Sequence, residues 1–204
     1  MMKVSIIIPC SLAPRKHAAI DGESKLVRAV HSALNQDYGD IEVIVIADGC
    51  KRTVEVINEY FISEDLRLIE IPKQQPFSGN VRNAGIEAAT GDLICYLDAD
   101  DYLGGDHVST IVKQFTGDWV WFNDMTLQGG EFKERDCSLK LGLCGTSNIA
   151  HLKSMNARWK PVNAYSKDDW SFIQELIKES PHGVKIETPS YVVCHIPYRR
   201  GYDV

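Results

Sequence analysis

Three acids in the middle of the chain have the residue type and spacing of a metal site. The apolar run from Leu93 to Leu97 predicts a short buried strand, and Asp98, Asp100 and Asp101 follow it directly. Side chains two residues apart leave an extended backbone on the same side, so we expect Asp98 and Asp100 to converge. Two hard carboxylates at the carboxyl end of a buried strand could hold a divalent cation and its anionic ligand.

The alternative for these acids is a solvated turn that caps the following helix. We favour the metal site because buried strands seldom end in three acids that have no partner. In that interpretation Asp101 orders the turn into the next helix, while Asp98 and Asp100 serve the ligand.

The elements that must position these acids alternate between strand and helix patterns. Strands are predicted at 4–9, 42–47, 66–71 and 93–97, and helices at 23–35, 53–61, 80–89 and about 106–115. Four strands that alternate with helices predict an α/β fold with a parallel, doubly wound sheet.

The second half of the chain has a different pattern. It predicts one strand over 119–127 that returns as a hairpin through 131–135, a helix over 167–178 capped by Ser166, and a late strand region over 184–196. Residues 141–157 mix small polar and apolar types and favour no element.

Composition and charge exclude some classes of function. The 204 residues are 44% hydrophobic and 25% charged, which fits one domain, or one domain with a small subdomain. The formal net charge of −6 argues against a general nucleic-acid binder, whose affinity would rest on a basic face. An anionic small ligand is compatible with this charge if a cation or local Arg and Lys side chains receive it.

The cysteines and the termini bear on the compartment. The six cysteines form no C-x-x-C pair, which indicates reduced, structural thiols in a reducing compartment and argues against zinc. The chain enters a strand at once without a signal peptide, and its longest apolar runs are too short to span a bilayer. We therefore expect a soluble cytoplasmic domain, which could be part of a longer protein.

Several motifs, in the right order, resemble the family 2 glycosyltransferases of the GT-A fold. They are VSIIIPC, then SALNQDYGDIEVIVIADGC, then SGNVRNAGIEAATGDLICYLDADDYL, and they span Val4 to Leu103 without a large break. Further along, Lys167-Asp168-Asp169-Trp170 resembles the family's acidic E-D-W segment. The resemblance implies a GT-A type, doubly wound, mostly parallel (mixed) sheet. It also implies one domain over 1–204, with a Rossmann-like nucleotide-binding half at 1–103 and an acceptor-side half at 104–204.

The resemblance also implies the reaction. An enzyme of this kind moves a sugar, with inversion, from a nucleotide diphosphate donor to an acceptor hydroxyl in glycan biosynthesis. We expect a UDP-sugar donor and a Mn²⁺ or Mg²⁺ cofactor, because oxygen ligands and a phosphate partner suit these cations.

Residues of the donor site follow from the same resemblance. Asp98 matches the acid beside the donor ribose and metal, Asp100 matches the acid on the cation that bridges the diphosphate, and Ala99 lies between them. His195 matches a late histidine that ligates the metal in some GT-A enzymes; its alternative is a packed or solvated side chain.

The nucleotide pocket takes residues from the ends of the first strands. Asp48 matches an acid that contacts the base, although Ala47 stands where the family usually has a second acid; its alternative is a helix cap before Thr53. The segment of Pro9, Cys10 and Ser11 matches one that lines the pocket, mostly through backbone atoms.

Basic side chains near the phosphates are the remaining donor-side candidates. Arg82 matches a basic position near the base or phosphates, and its alternative is a surface arginine on a helix. Arg15 and Lys16 are phosphate candidates on composition alone.

An inverting transfer needs a base for the proton of the acceptor hydroxyl, and carboxylates can serve. Asp169 matches the family's base, and Asp168 stands where Glu is usual. The alternative is that both acids only suit the helix dipole in the first turn. Which of the two is the base stays open, and of the four tryptophans only Trp170 is expected near the site.

The sequence leaves two alternative functions. A sugar nucleotidyltransferase shares a related sheet, but it usually carries a Gly-rich basic segment after strand one, and Pro9 to Pro14 contains no glycine. The other is a catalytically silent module that binds a nucleotide-sugar or glycan, and the intact acids give no positive sign of it.

Overall fold

The computed structural model describes residues 2–14, 21–74, 79–128, 130–160, 165–186 and 190–194. Arg15, Lys16 and His195 therefore lie outside the described residues. The strands are β1 Val4–Cys10, β2 Ile41–Asp48, β3 Leu66–Ile71, β4 Leu93–Tyr96, β5 Tyr102–Leu103, β6 Trp119–Phe122, β7 Asp124–Gln128, β8 Glu131–Arg135, β9 Ile149–Leu152, β10 Gly183–Ile186 and β11 Tyr191–Val193. The helices are α1 Gly22–Leu34, α2 Lys51–Tyr60, α3 Gly79–Ala88, α4 His107–Gln114 and α5 Tyr165–Glu179, with a 3₁₀ turn at Thr146–Asn148.

The main sheet has seven strands in the order β10-β6-β9-β4-β1-β2-β3. β1 pairs in parallel with β2 and β4, and β2 pairs in parallel with β3. Only β9 among its described strands runs against its neighbours, β4 and β6. The prediction of a doubly wound, mostly parallel but mixed sheet is confirmed, with the strand order reversing beside β1 where such sheets bind ligands.

Helices cover both faces of this sheet, which explains why its central strands are continuous apolar runs. On one face Ile6 and Ile8 of β1 belong to a buried cluster with residues of α1, α2 and α4. On the other face Ile7 belongs to a second cluster with residues of α3 and α5. Alternate side chains of one strand therefore feed two separate cores.

A second sheet of four strands, in the order β5-β11-β7-β8, lies in the second half of the chain. β7 and β8 form the predicted hairpin, and β11 pairs with β5 antiparallel and with β7 in parallel. The prediction of one strand over 119–127 is wrong, because Asn123 separates β6 in the main sheet from β7 in the small one. The Asn123 side chain accepts from the Cys137 backbone N–H (3.0 Å) and donates to Glu134 (2.8 Å), so it occupies the switch between sheets.

Other boundaries in the second half also differ from the prediction. β9 lies within the unassigned stretch 141–157, yet it sits between β4 and β6 in the main sheet. Helix α5 begins at Tyr165, so Ser166 is its second residue and not its N-cap. The predicted late strand is two strands: β10 joins the main sheet and β11 the small one.

No helix among the described residues is long and apolar enough to cross a membrane. All six cysteines are free thiols, and five of them are buried.

Candidate active site

A cavity of about 300 Å³ lies where the turn after β4 meets the small sheet and the amino end of α5. The first half of the chain contributes Asp98, Asp100 and Asp101 to it, and the second half contributes the other lining residues. Its lining residues are Asp98, Asp100, Asp101, Arg135, Gly142, Leu143, Cys144, Gly145, Thr146, Ser147, Asn148, Asp169 and Val193. Residues that are 71 positions apart, Asp98 and Asp169, thus share one space.

The acids after β4 reach the cavity by a different route from the one predicted. β4 ends at Tyr96, and Ala99 and Asp100 lie in a turn in which the Asp101 N–H donates to the Asp98 carbonyl (3.0 Å). The expectation that an extended backbone directs Asp98 and Asp100 together is therefore wrong. A turn brings both of them to the cavity instead.

Asp101 is buried and holds the small sheet against this turn. Its carboxylate accepts from the Tyr191 hydroxyl (3.1 Å) and from the Cys194 N–H (2.7 Å), while the Asp98 N–H donates to the same Tyr191 oxygen (2.9 Å). Asp101 therefore orders the turn, as predicted, through Tyr191 of β11 and the backbone of Cys194.

Arg82, on α3, is buried beside the acids, so its alternative as a surface arginine is wrong. It donates to Asp98 Oδ1 (2.7 Å), and its guanidinium carbon lies 4.8 Å from the ring centroid of Trp159. Burial alone would lower the pKa of Arg82, but the negative charges of Asp98 and Asp169 outweigh burial and raise it. A permanent cation is therefore bound to Asp98 and lies within electrostatic reach of Asp169.

Asp169 lines the cavity, whereas its neighbour Asp168 is buried and is not among the lining residues. Asp169 Oδ1 accepts from the Thr146 hydroxyl (2.7 Å). Burial raises the pKa of Asp169, and the Arg82 charge and the Thr146 hydrogen bond oppose that rise. A carboxylate with a raised pKa, oriented by a hydroxyl, has the properties of a general base.

The acids of the cavity have the chemistry of partial ligands for a divalent cation. Within the described ranges, no group of three or more His, Cys, Asp or Glu side chains is gathered in the manner of a complete metal site. Asp98 and Asp100 supply two hard carboxylates in one cavity, and the Asp98 side chain is 38% exposed despite its bond to Arg82. This donor set fits Mn²⁺ or Mg²⁺, which keep water and substrate phosphate as their other ligands.

Asp48 ends β2, away from the residues that line the cavity. It caps no helix: Cys50 precedes α2, and no side chain there makes a capping bond. Its carboxylate accepts from the Gln74 N–H (2.6 Å) and from the Lys73 ammonium group. Each carboxylate oxygen can accept a second donor, so these bonds leave room for a ligand N–H.

Pro9, Cys10 and Ser11 lie at the carboxyl end of β1, also outside the cavity lining. Thr53 ties this segment to α2, because its hydroxyl accepts from the Leu12 N–H (3.1 Å) and lies 3.8 Å from Cys10 Sγ. The Ser11 hydroxyl is buried and has no hydrogen-bond partner among the described residues. A ligand is one group that could satisfy it.

A polar cluster that the sequence did not reveal completes the cavity wall. Asp124, at the start of β7, is fully buried and binds Arg135 through Nε (2.7 Å) and Nη2. It also accepts from Ser147 Oγ (2.9 Å) and Asn148 Nδ2 (2.9 Å). The only signal in the sequence was an acid in the middle of an apolar run, which by itself does not indicate its partners.

Comparison with known proteins agrees with this architecture. The family model described as glycosyl transferase family 2 matches residues 5–179. A protein named "uncharacterized glycosyltransferase" from Haemophilus influenzae is 37% identical over 109 residues, which are 52% of this chain and 39% of that protein.

Two solved structures share the fold at low identity. S. aureus TarS 1-349, in complex with UDP-GlcNAc, superposes with a TM-score of 0.73 at 16% identity, over 100% of this chain and 62% of that one. A mannosyltransferase from Pyrobaculum calidifontis, in complex with GDP-Man and Mn²⁺, gives a TM-score of 0.67 at 15% identity, over 98% of this chain and 59% of that one. The predicted GT-A type fold is thereby confirmed, and the chain spans less than two thirds of each of these proteins.

Proposed function

The chain belongs to glycosyl transferase family 2, and from its cavity we propose a metal-dependent, inverting transfer of a sugar from a UDP-sugar to an acceptor hydroxyl in glycan biosynthesis. The observation that carries the proposal is the meeting of Asp98, Asp100 and Asp169 in one cavity. Asp98 and Asp100 are suited to bind a cation that in turn binds the diphosphate, and Asp169 is suited to act as the general base. The cavity therefore has a donor side and an acceptor side.

On the donor side, Asp98 and Asp100 would hold Mn²⁺ or Mg²⁺. When bound, the cation supplies positive charge that stabilises the diphosphate leaving group. Arg82 fixes the orientation of Asp98 through its 2.7 Å hydrogen bond, so that this carboxylate is in place before donor binds. Ala99 and, as a further ligand outside the described residues, His195 remain part of the proposed donor site.

The nucleotide is proposed to extend from the acids toward the ends of β1 and β2. Asp48 would accept an N–H of the base, and Pro9, Cys10 and the unsatisfied hydroxyl of Ser11 would line the pocket. The UDP-GlcNAc and GDP-Man in the two solved structures support a nucleotide-sugar donor, and the Mn²⁺ in the second supports the cation. The choice of UDP rests on the resemblance of the motifs.

On the acceptor side, Asp169 would take the proton from the acceptor hydroxyl as its oxygen attacks the anomeric carbon. Its raised pKa brings the carboxylate closer to the basicity that proton transfer needs, and Thr146 holds it in one orientation. Asp168 is the second candidate from the sequence, and its burial away from the cavity lining favours Asp169.

Isothermal titration of UDP in the presence of Mn²⁺ tests the donor site. We expect binding by the native protein and at least a tenfold weaker Kd for Asp100→Ala, since one of the proposed cation ligands is removed. Asp106→Asn is the matched control, because it removes an exposed acid of α4's amino end that does not line the cavity. No binding by the native protein, or an unchanged Kd in Asp100→Ala, would show that the assignment is wrong.

A further inference from the structure

Arg135 is the one basic side chain among the described residues that line a cavity with four acids, Asp98, Asp100, Asp101 and Asp169. We propose that Arg135 forms an anion subsite that receives a phosphate or carboxylate group of the acceptor, next to the hydroxyl that is glycosylated. This inference rests on the proposed function and adds a class of acceptor to it.

Asp124 holds the Arg135 side chain in a fixed orientation. The carboxylate of Asp124, with no exposed surface, binds Nε and Nη2 of Arg135, while the Arg135 side chain itself is 50% exposed. Ser147 and Asn148 donate to the same carboxylate and so fix its position. No residue in the described part of the chain accepts a hydrogen bond from the third nitrogen, Nη1.

The fixed orientation of Arg135 lowers the entropy cost of binding an anion. A free surface arginine samples many rotamers and loses that freedom when a ligand binds, whereas a clamped guanidinium has lost it already on folding. Burying a carboxylate such as Asp124 is costly unless it is paired and hydrogen-bonded. The arrangement therefore offers a pre-oriented cation with free N–H groups at the edge of the cavity, and guanidinium groups bind phosphate and carboxylate through such donors.

Four acids in one cavity repel an anionic acceptor, and the cation proposed on the donor side serves the diphosphate. An anionic acceptor therefore needs a separate cationic group with N–H donors. Arg135 supplies that group through Nη1, although Asp124 balances its charge.

The position of Arg135 in the chain assigns it to the acceptor and not to the donor. Arg135 is the last residue of β8, in the second half, and its partner Asp124 is bound by Ser147 and Asn148. The neighbouring Thr146 hydroxyl orients Asp169, so the proposed base and the proposed anion subsite are both tied to the segment Thr146–Asn148.

The test measures binding of small probes to the full chain saturated with UDP and Mn²⁺. Two matched pairs differ in whether they carry an anionic group: methyl β-glucuronide against methyl β-glucoside, and glycerol 3-phosphate against glycerol. We expect at least one charged probe to bind about tenfold or more tightly than its neutral partner, as a charge-assisted hydrogen bond provides. The pair that discriminates identifies the anion as carboxylate or phosphate.

Variants test whether the preference for the charged probe depends on Arg135. The double variant Asp124→Asn/Arg135→Gln removes both charges of the pair, so no buried carboxylate is left without its cation. We expect it to lose the preference for the charged probe, about 10-fold to 100-fold, while its Kd for UDP changes by less than about threefold. Lys133→Gln is the matched control: it removes a cation from the same strand, two residues away, outside the cavity lining.

The outcomes are separable. Failure of the native protein to bind UDP with Mn²⁺ overturns the proposed function itself. If UDP binds but neither charged probe is preferred, the anion subsite is wrong. It is also wrong if Lys133→Gln loses as much preference as the double variant, or if the double variant weakens UDP binding as much as probe binding.

Discussion

The roles of Asp169 and Arg82 depend on tertiary packing, which the sequence alone does not predict. Asp168 and Asp169 are adjacent, so spacing alone cannot choose between them; on a helix they point about 100° apart, and packing decides which one faces the cavity. Arg82 lies 16 residues before Asp98 on a different element. Its ion pair depends on how α3 packs on the sheet, which no local pattern contains.

Asp169→Asn should separate binding from transfer. The amide keeps the size of the side chain but cannot take a proton, so we expect UDP affinity within about threefold of native and transfer at least about 100-fold slower. Titration calorimetry and a donor-turnover assay measure the two quantities on the same preparation. Asp168→Asn is the control for a nearby acid, and retained turnover in Asp169→Asn would place the base elsewhere.

The same carboxylate predicts the pH dependence of the reaction. A base acts only when it is deprotonated, so turnover should rise with pH through the raised pKa of Asp169. Arg82 lowers that pKa, and Arg82→Gln should therefore move the rising limb of the pH profile to higher pH.

Arg82→Gln should also lower the free energy of unfolding, by about 2 kcal/mol. The expected loss is smaller than for a fully buried pair because the partner Asp98 is 38% exposed. Urea denaturation at neutral pH measures it. A pH limb that stays in place while stability falls would mean that Arg82 is structural only.

Among the helices and strands, prediction succeeded for the first four strands, although β4 pairs with β1 and not with its predecessor β3. β1 to β4 alternate with helices, and parallel crossovers place them in one sheet with little freedom. β9 was missed because its four residues lie between Gly- and Ser-containing segments, and only its pairing with β4 and β6 makes it a strand. The switch at Asn123 was missed because apolar residues continue on both sides of it.

Helix α3 makes its own prediction, because Gly85 is where it approaches β1. A Cβ added there would lie 2.4 Å from Ile7 Cγ2, which is closer than two carbons can approach. Alanine in place of glycine usually stabilises a helix by about 1 kcal/mol, but the clash reverses the sign. Gly85→Ala should lower the free energy of unfolding by about 1–3 kcal/mol and, since Arg82 is on the same helix, weaken UDP binding.

The double variant Gly85→Ala/Ile7→Ala checks the cause. Removing the Ile7 branch relieves the contact. In urea denaturation, the double variant should therefore lose less free energy of unfolding than the sum of the losses in the two single variants. Gly39→Ala is the control, since a Cβ there meets nothing within 4 Å. Full additivity in the double variant would contradict the steric explanation.

Taken together, the chain divides into a half that its sequence predicts well and a half that its tertiary contacts define. The doubly wound sheet and the acids after β4 were predicted from local patterns and from the resemblance of the motifs. The cavity was not, because its far wall combines β8, the 3₁₀ turn and α5, which come together only when β9 and β11 are in place. Arg135 is part of that wall and pairs with Asp124 across the β7–β8 hairpin. The hairpin was predicted from the sequence, but the pair was not.

Two buried histidines link this folded arrangement to pH. Burial lowers the pKa of His107 to about 3 and that of His151 to about 4. His107 hydrogen-bonds Ser190 (2.8 Å) next to the small sheet, and His151 hydrogen-bonds the Tyr96 hydroxyl (2.8 Å) between β4 and β9. His151 therefore sits between a strand of the first half and a strand of the second, whereas His107 contacts Ser190 within the second half. Protonation of either buried ring costs stability.

The chain should lose stability as pH falls below 6.5, down to about 4 for His151 and about 3 for His107. In this window each histidine binds a proton in the unfolded state but not in the folded state, so stability falls as pH falls. Between pH 7 and pH 5 the loss is about 2 kcal/mol for each histidine. Desolvation would raise the pKa of Glu42, but hydrogen bonds from Ser5, Thr90 and Arg67 lower it to about 2. Glu42 therefore adds a further loss of stability only below about pH 4.5.

Urea denaturation at pH 7 and pH 5 measures the loss due to the histidines. This loss should shrink by about half in His151→Gln and remain unchanged in His182→Gln, an exposed control. Equal stability of the native protein at the two pH values would show that the buried rings are already protonated in the folded state or exposed to solvent.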